Sequence, residues 1–133
     1  MIDNKSLNWL EYATSKNYTH NFNWLGLKVI QYPQDLIATQ ELIYKIKPDV
    51  IIECGIAHGG SLIFYSSILS LINLSSKKKS FVIGIDKEIR LKNLNRINNH
   101  SLSNNIKLIE GSSTSLSTIK KVENLIKKHK KII

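Results

Sequence analysis

An α/β fold, with a parallel sheet and flanking helices, is the class the sequence predicts. Three observations point to it. Short apolar runs rich in β-branched residues end in a carboxylate or a glycine, longer runs of helical period lie between them, and the two alternate along the chain. At 133 residues the chain has the length of one domain with its own core. The expectation is a single domain over 1–133, with residues 1–32 as an aromatic-containing N-terminal segment.

That segment holds Trp9, Tyr12, Tyr18, Phe22, Trp24 and Tyr32 among polar residues, and reads as aromatic anchors pinned onto the domain. In "YPQDLIATQELIYKIKPD", Pro33 and Asp35 suit a helix start, Leu36, Ile43 and Ile46 follow helical spacing, and Pro48 stops it. "DVIIE" (49–53) reads as a strand covered on both faces. "SLIFYSSILSLI" (61–72) is apolar nearly all round, as a helix packed on the sheet would be. "SFVIGID" (80–86) repeats the buried-strand pattern, "RLKNLNRINNH" (90–100) reads as an asparagine-rich helix, and "IKLIEGSS" (106–113) as a strand entering a turn. "SLSTIKKVENLIKKH" (115–129) places Leu116, Ile119, Val122 and Ile126 on one helical face, and "KII" at the end begins a fourth strand.

The net charge of +9, from 19 Lys and Arg against 10 acids, suggests anionic partners. The lysines gather in "SSKKKS" (Lys77 to Lys79) and "KKHKK" (Lys127 to Lys131), where solvated charge is ordinary. No aromatic residues interleave there to stack bases, so nucleic acid and anionic membranes are disfavoured. No apolar run approaches the roughly 20 residues of a bilayer span, and the N-terminus lacks a signal-peptide pattern, which places the chain in the cytoplasm. The lone Cys54 excludes an intramolecular disulfide and reads as a small core residue. His20, His58, His100 and His129 show no ligand spacing, so no metal site is assigned.

In an open parallel sheet, ligands bind beyond the carboxyl ends of the strands. Those ends carry Glu53 with Gly55, Asp86, and Gly111 with Ser112. Gly55 permits a tight turn, while Gly59 and Gly60 are expected to let a ligand approach the N-terminus of the helix opening at Ser61. Asp86 suits a carboxylate that accepts from two ribose hydroxyls. The turn "GIAHGG" departs from G-x-G-x-x-G at Ala57, which argues against a dinucleotide. Glu53, two residues before Gly55, instead suits the ammonium of S-adenosylmethionine (SAM), with the glycine turn and helix start receiving its carboxylate. Plainer roles stand beside these: Glu53 bonded to backbone, His58 solvent-facing in its loop, Ser112 and Ser113 as helix caps, Glu41 on an exposed helix face.

The stretches "YPQDLIATQELIYKIKPDVIIECGIAHGGSLIF", "VIGIDKEIR" and "IKLIEGSS" also carry a resemblance. From Trp24 to Ser113 the chain resembles the cephalosporin hydroxylase family, a branch of class I SAM-dependent methyltransferase folds that includes rhamnosyl O-methyltransferases. The resemblance implies a Rossmann-like methyltransferase core. By position, Glu53, Gly55, Gly59, Gly60, Ser61, Asp86 and Ser112 match its cofactor-binding elements. It implies O-methylation of a small-molecule or sugar acceptor, in lipid or natural-product biosynthesis. The family continues into a second half whose acidic, histidine-bearing segment looks like its Mg and acceptor site. The expectation is therefore a chain truncated at the start of its fourth strand, carrying the cofactor half, with the Mg ligands absent and the catalytic residues unassigned. An unfinished sheet edge should promote self-association. Two alternatives are kept: a non-catalytic cofactor-binding remnant, and an NAD-dependent oxidoreductase.

Overall fold

The computed structural model describes residues 4–74 and 79–133, so Lys77 and Lys78 of the first lysine cluster lie outside the described residues. Helix α1 (Asn4–Ser15) and a short 3-10 turn (Tyr18–Asn21) lead into a hairpin of β1 (Phe22–Trp24) and β2 (Leu27–Val29). Then follow α2 (Pro33–Ile46), β3 (Val50–Cys54), α3 (Gly60–Asn73), β4 (Phe81–Asp86), α4 (Leu91–Asn98), β5 (Ile106–Glu110) and α5 (Leu116–Ile126). Strands β3, β4 and β5 form a parallel sheet in that order, with Val50 opposite Phe81 and Val82 opposite Ile106.

The terminal "KII" pairs with β3 through a single parallel bridge rather than a full strand. Ile132 bridges Val50 in parallel on the free side of β3, and the Ile133 and Ile52 amides donate to the Val50 and Ile133 carbonyls. Asp49 anchors this approach, its Oδ2 accepting from the Lys130 and Lys131 amides at 2.9 and 3.0 Å.

Alternation along each strand splits the core in two. Ile51, Val82 and Ile106 face α2 and α3, meeting Leu36, Ile43, Leu62, Ile63 and Phe64. Val50, Ile83, Ile85 and Ile109 face the other way, against Val122 and Ile126 of α5. Burying each such aliphatic or aromatic side chain is worth roughly 1.5–3 kcal/mol. Gly84 lies at the centre of β4 beneath Leu62 and Ile56, where a Cβ would collide with both, so its lack of a side chain lets α3 settle onto the sheet.

Four expectations need correction. On α5 the buried face runs Thr118, Val122, Ile126, while Leu116 is 76% exposed and Ile119 also lies outward. On α2, Leu36 and Ile43 are buried but Ile46 is exposed. Cys54 is exposed, because β3 has by then run past the helices that cover it. Residues 1–32 hold two elements that were not expected, α1 and the hairpin. The hairpin turns on Leu25 and Gly26, both at positive φ (44° and 92°), the backbone that suits a two-residue connection. Trp24 then packs edge-on against Phe64, centroids 4.9 Å apart, and its Nε1–H donates to Ser67 Oγ at 3.0 Å.

Candidate cofactor site

The loop from β3 to α3 is the centre of the site, and four contacts hold its shape. Gly55, at φ 84°, donates its amide to the Ile85 carbonyl at 2.8 Å. The Ile56 amide donates to Asp86 Oδ2 at 2.9 Å. Ala57 sits in the left-handed region at φ 45°, a conformation costly for a residue with a Cβ, and buried Asn93 donates to its carbonyl at 2.8 Å. The Gly59 amide closes the turn onto the Ile56 carbonyl at 2.7 Å.

The three glycines do different things. A Cβ on Gly55 would meet nothing within 4 Å, so its face is open to a ligand. A Cβ on Gly59 would strike the Ile97 side chain, and one on Gly60 would strike the Lys28 carbonyl and Val29 amide of β2. The space expected for a ligand beside Gly59 and Gly60 is therefore filled by α4 and by the hairpin; these two are glycine so that α3 can pack there.

Glu53 points into the crevice beside this loop. Ser61 Oγ donates to its Oε2 at 2.6 Å, and Tyr65 OH lies at 3.5 Å from Oε1, long for such a bond. Burial pushes the Glu53 carboxyl up to about 7, with the Ser61 and Tyr65 hydrogen bonds pulling it back. Tyr65 is raised as well, first by burial and then by the Glu53 charge, while hydrogen bonding with Gln31 lowers it. Gln31 Oε1 is buried and has no hydrogen-bond partner among the described residues. Gln31, Glu53, Gly55 and Ser61 line a cavity of about 100 Å³.

Asp86 stands at the junction of two larger cavities. One, of about 290 Å³, is lined by Cys54, Gly55, Ile85, Gly111 and Ser113; the other, of about 440 Å³, by Ala57, His58, Arg90 and Asn93. Besides the Ile56 amide, Asp86 accepts from the Glu88 amide at 3.4 Å. A carboxylate offers about four acceptor positions, so capacity remains for hydroxyl groups. Ser112 Oγ pairs with Thr114 Oγ1 at 3.0 Å, and it is Ser113 that lines the smaller cavity. Ser115, rather than Ser112 or Ser113, caps α5, accepting from the Thr118 amide, and Glu41 lies on an exposed face, as expected.

The structure thus gathers Glu53, Gly55, Ser61 and Asp86 round one crevice. Sequence reasoning missed Gln31, Tyr65 and Asn93. Tyr65 carried a signal, four residues after Ser61 and hence on the same helical face. Gln31 and Asn93 carried none. Among the described residues no group of three or more His, Cys, Asp or Glu could hold a metal ion, and no helix is long and apolar enough to cross a membrane.

The donor set suits an amino-acid-bearing nucleoside such as SAM. Glu53 and the orphaned Gln31 Oε1 are acceptors for an ammonium group, Gly55 leaves backbone open to close approach, and Asp86 has acceptor positions to spare for ribose.

Solved structures of CmcI share the fold. An apo structure matches with TM-score 0.60 at 21% identity, over 84% of this chain and 42% of its own. A Mg-SAM structure matches with TM-score 0.57 at 23% identity, over 76% and 40%, and an SAH structure with TM-score 0.52 at 23%, over 68% and 43%. The chain thus spans about 40% of the length of these relatives. No curated protein sequence matches it. A model of one family, described as rhamnosyl O-methyltransferase/CmcI, matches residues 16–133, and the chain belongs to that family.

Proposed function

We propose that the chain binds SAM across the carboxyl ends of β3, β4 and β5 and serves the O-methylation of a small-molecule or sugar acceptor. One observation carries the reading. A costly carboxylate, Glu53, is kept at a strand end beside an unpartnered amide oxygen, Gln31 Oε1, with open backbone at Gly55 next to both. Buried polar groups without partners are rare in native proteins, and a ligand ammonium would satisfy this pair.

In this reading Glu53 and Gln31 hold the amino group, and Ser61 Oγ fixes the rotamer of Glu53. Asp86 accepts from the ribose hydroxyls while its other bond secures Ile56. The cavity at Gly111 and Ser113 takes the base. When bound, the cofactor supplies a methyl group activated on a sulfonium centre. The chain's contribution is to orient it, because placing reacting atoms in line removes most of the entropic cost of the encounter. None of the described residues is assigned to take the acceptor's proton, and none is assigned to Mg.

The Mg-SAM and SAH complexes of CmcI support the choice of cofactor, and Glu53 with Ala57 disfavours NAD. Calorimetric titration with S-adenosylhomocysteine and with NAD tests it. Saturable binding of S-adenosylhomocysteine alone is expected; tighter binding of NAD would overturn the proposal.

A further inference from the structure

The lysine runs at Lys77 and Lys127 dominate the charge pattern in one dimension, but folding creates another concentration from residues scattered along the chain. Lys28 on β2, Arg90 at the start of α4, and Lys92 and Arg96 along α4 line one cavity of about 370 Å³, with His58 reaching it from the glycine loop. Its size lies within the usual range for small-molecule pockets. No Asp or Glu lines it, and among the described residues none of these four cations is in an ion pair. Asp86 and Glu88 face the neighbouring 440 Å³ cavity instead. Arg96 spends one nitrogen on the Gly26 carbonyl, at 2.8 Å, which fixes its guanidinium at the wall.

We propose that this cavity binds the diphosphate group of a small molecule. Four positive charges round one hollow repel one another, and an anion of two or more charges relieves that repulsion where a single carboxylate would relieve only part of it. Two arginines supply forked donors matched to phosphate oxygens, and two lysines supply mobile ones. The lining holds no Phe, Tyr or Trp on which a nucleic-acid strand could stack. SAM carries no phosphate, so the ligand is a second molecule. His58 and Lys28 also border the Glu53 cavity, and a phosphate-bearing ligand held here would extend toward the cofactor crevice.

The test is calorimetric titration of the full chain, without cofactor and at constant ionic strength, with inorganic pyrophosphate and with a nucleoside diphosphate. Saturable binding is expected for both. The double variant Arg90→Gln with Lys92→Gln should weaken it about tenfold or more, since both side chains are exposed and carry no structural hydrogen bond. The charge-keeping Arg90→Lys with Lys92→Arg should restore most of it, and Lys127→Gln with Lys128→Gln should leave it unchanged. Tighter binding of the nucleoside diphosphate would make the ligand nucleotide-borne, and equal affinity would make it a bare diphosphate group; both support the site. Absence of saturable binding, or equal weakening by the two glutamine pairs, would overturn it. Failure of S-adenosylhomocysteine to bind would leave this result untouched.

Discussion

Glu53 holds its charge at a cost that the rest of the molecule feels as pH dependence. Its carboxyl is raised from 4.5 to about 7, chiefly by burial. Because the folded value lies above the unfolded one, the folded chain binds the proton more tightly between those two values. The contribution of Glu53 to stability is therefore greatest below about pH 4.5 and falls as pH rises toward 7, by up to about 3 kcal/mol at 1.36 kcal/mol per unit. Glu53→Gln keeps an acceptor for Ser61 and removes this titration, so its stability should lack this fall across that window and exceed that of the parent at pH 8. Urea unfolding at several pH values measures both; parallel curves for the two proteins would contradict the assignment. Ser61 and Tyr65 are the neighbours that make this charge tolerable, and of the two only Ser61 was singled out by reasoning from the chain alone. Partners such as Gln31 and Asn93 arrive from distant segments and leave no periodicity to read.

Among the elements, the glycine loop separates packing from ligand approach. Gly60→Ala should drive a Cβ into the backbone of β2 and destabilise the fold by about 2 kcal/mol or more, since backbone cannot swing aside as a side chain can. Gly55→Ala meets open space and pays only for its positive φ, about 1 kcal/mol, so it should stay folded and lose affinity for cofactor. Thermal unfolding with a binding titration distinguishes the two, and a stably folded Gly60→Ala would refute the packing role. The pattern G-x-x-x-G-G announced a turn and a helix start, but nothing in it said which side of each glycine the chain itself would fill. Strands β3 to β5 and helices α2 to α5 were legible because burial on both faces or on one stripe imposes a period. The hairpin was not, because strands of three residues are too short to show alternation and Leu25–Gly26 lacks the asparagine or aspartate that usually marks such a turn. On α5 the buried stripe begins with Thr118, a polar residue, which displaced the expected face toward Leu116.

Taken whole, the molecule is a parallel sheet between helices whose strand ends open on one crevice, with a hairpin and α4 closing the back of the glycine loop. Its family and α/β class could be read from three stretches of sequence because those stretches carry the loop and both flanking strand ends. The cationic hollow between β2 and α4 could not, since its residues lie up to 68 positions apart (96 − 28) and meet only through folding. The central claim is that Glu53 is retained to hold the ammonium of a SAM-type cofactor. The most direct measurement is the affinity of S-adenosylhomocysteine for the parent chain and for Glu53→Gln at pH 8, where the carboxyl is ionised. Loss of a charged hydrogen-bond acceptor, worth roughly 1.5–3 kcal/mol, predicts binding about 10- to 100-fold weaker in the variant. Equal affinities would contradict the claim.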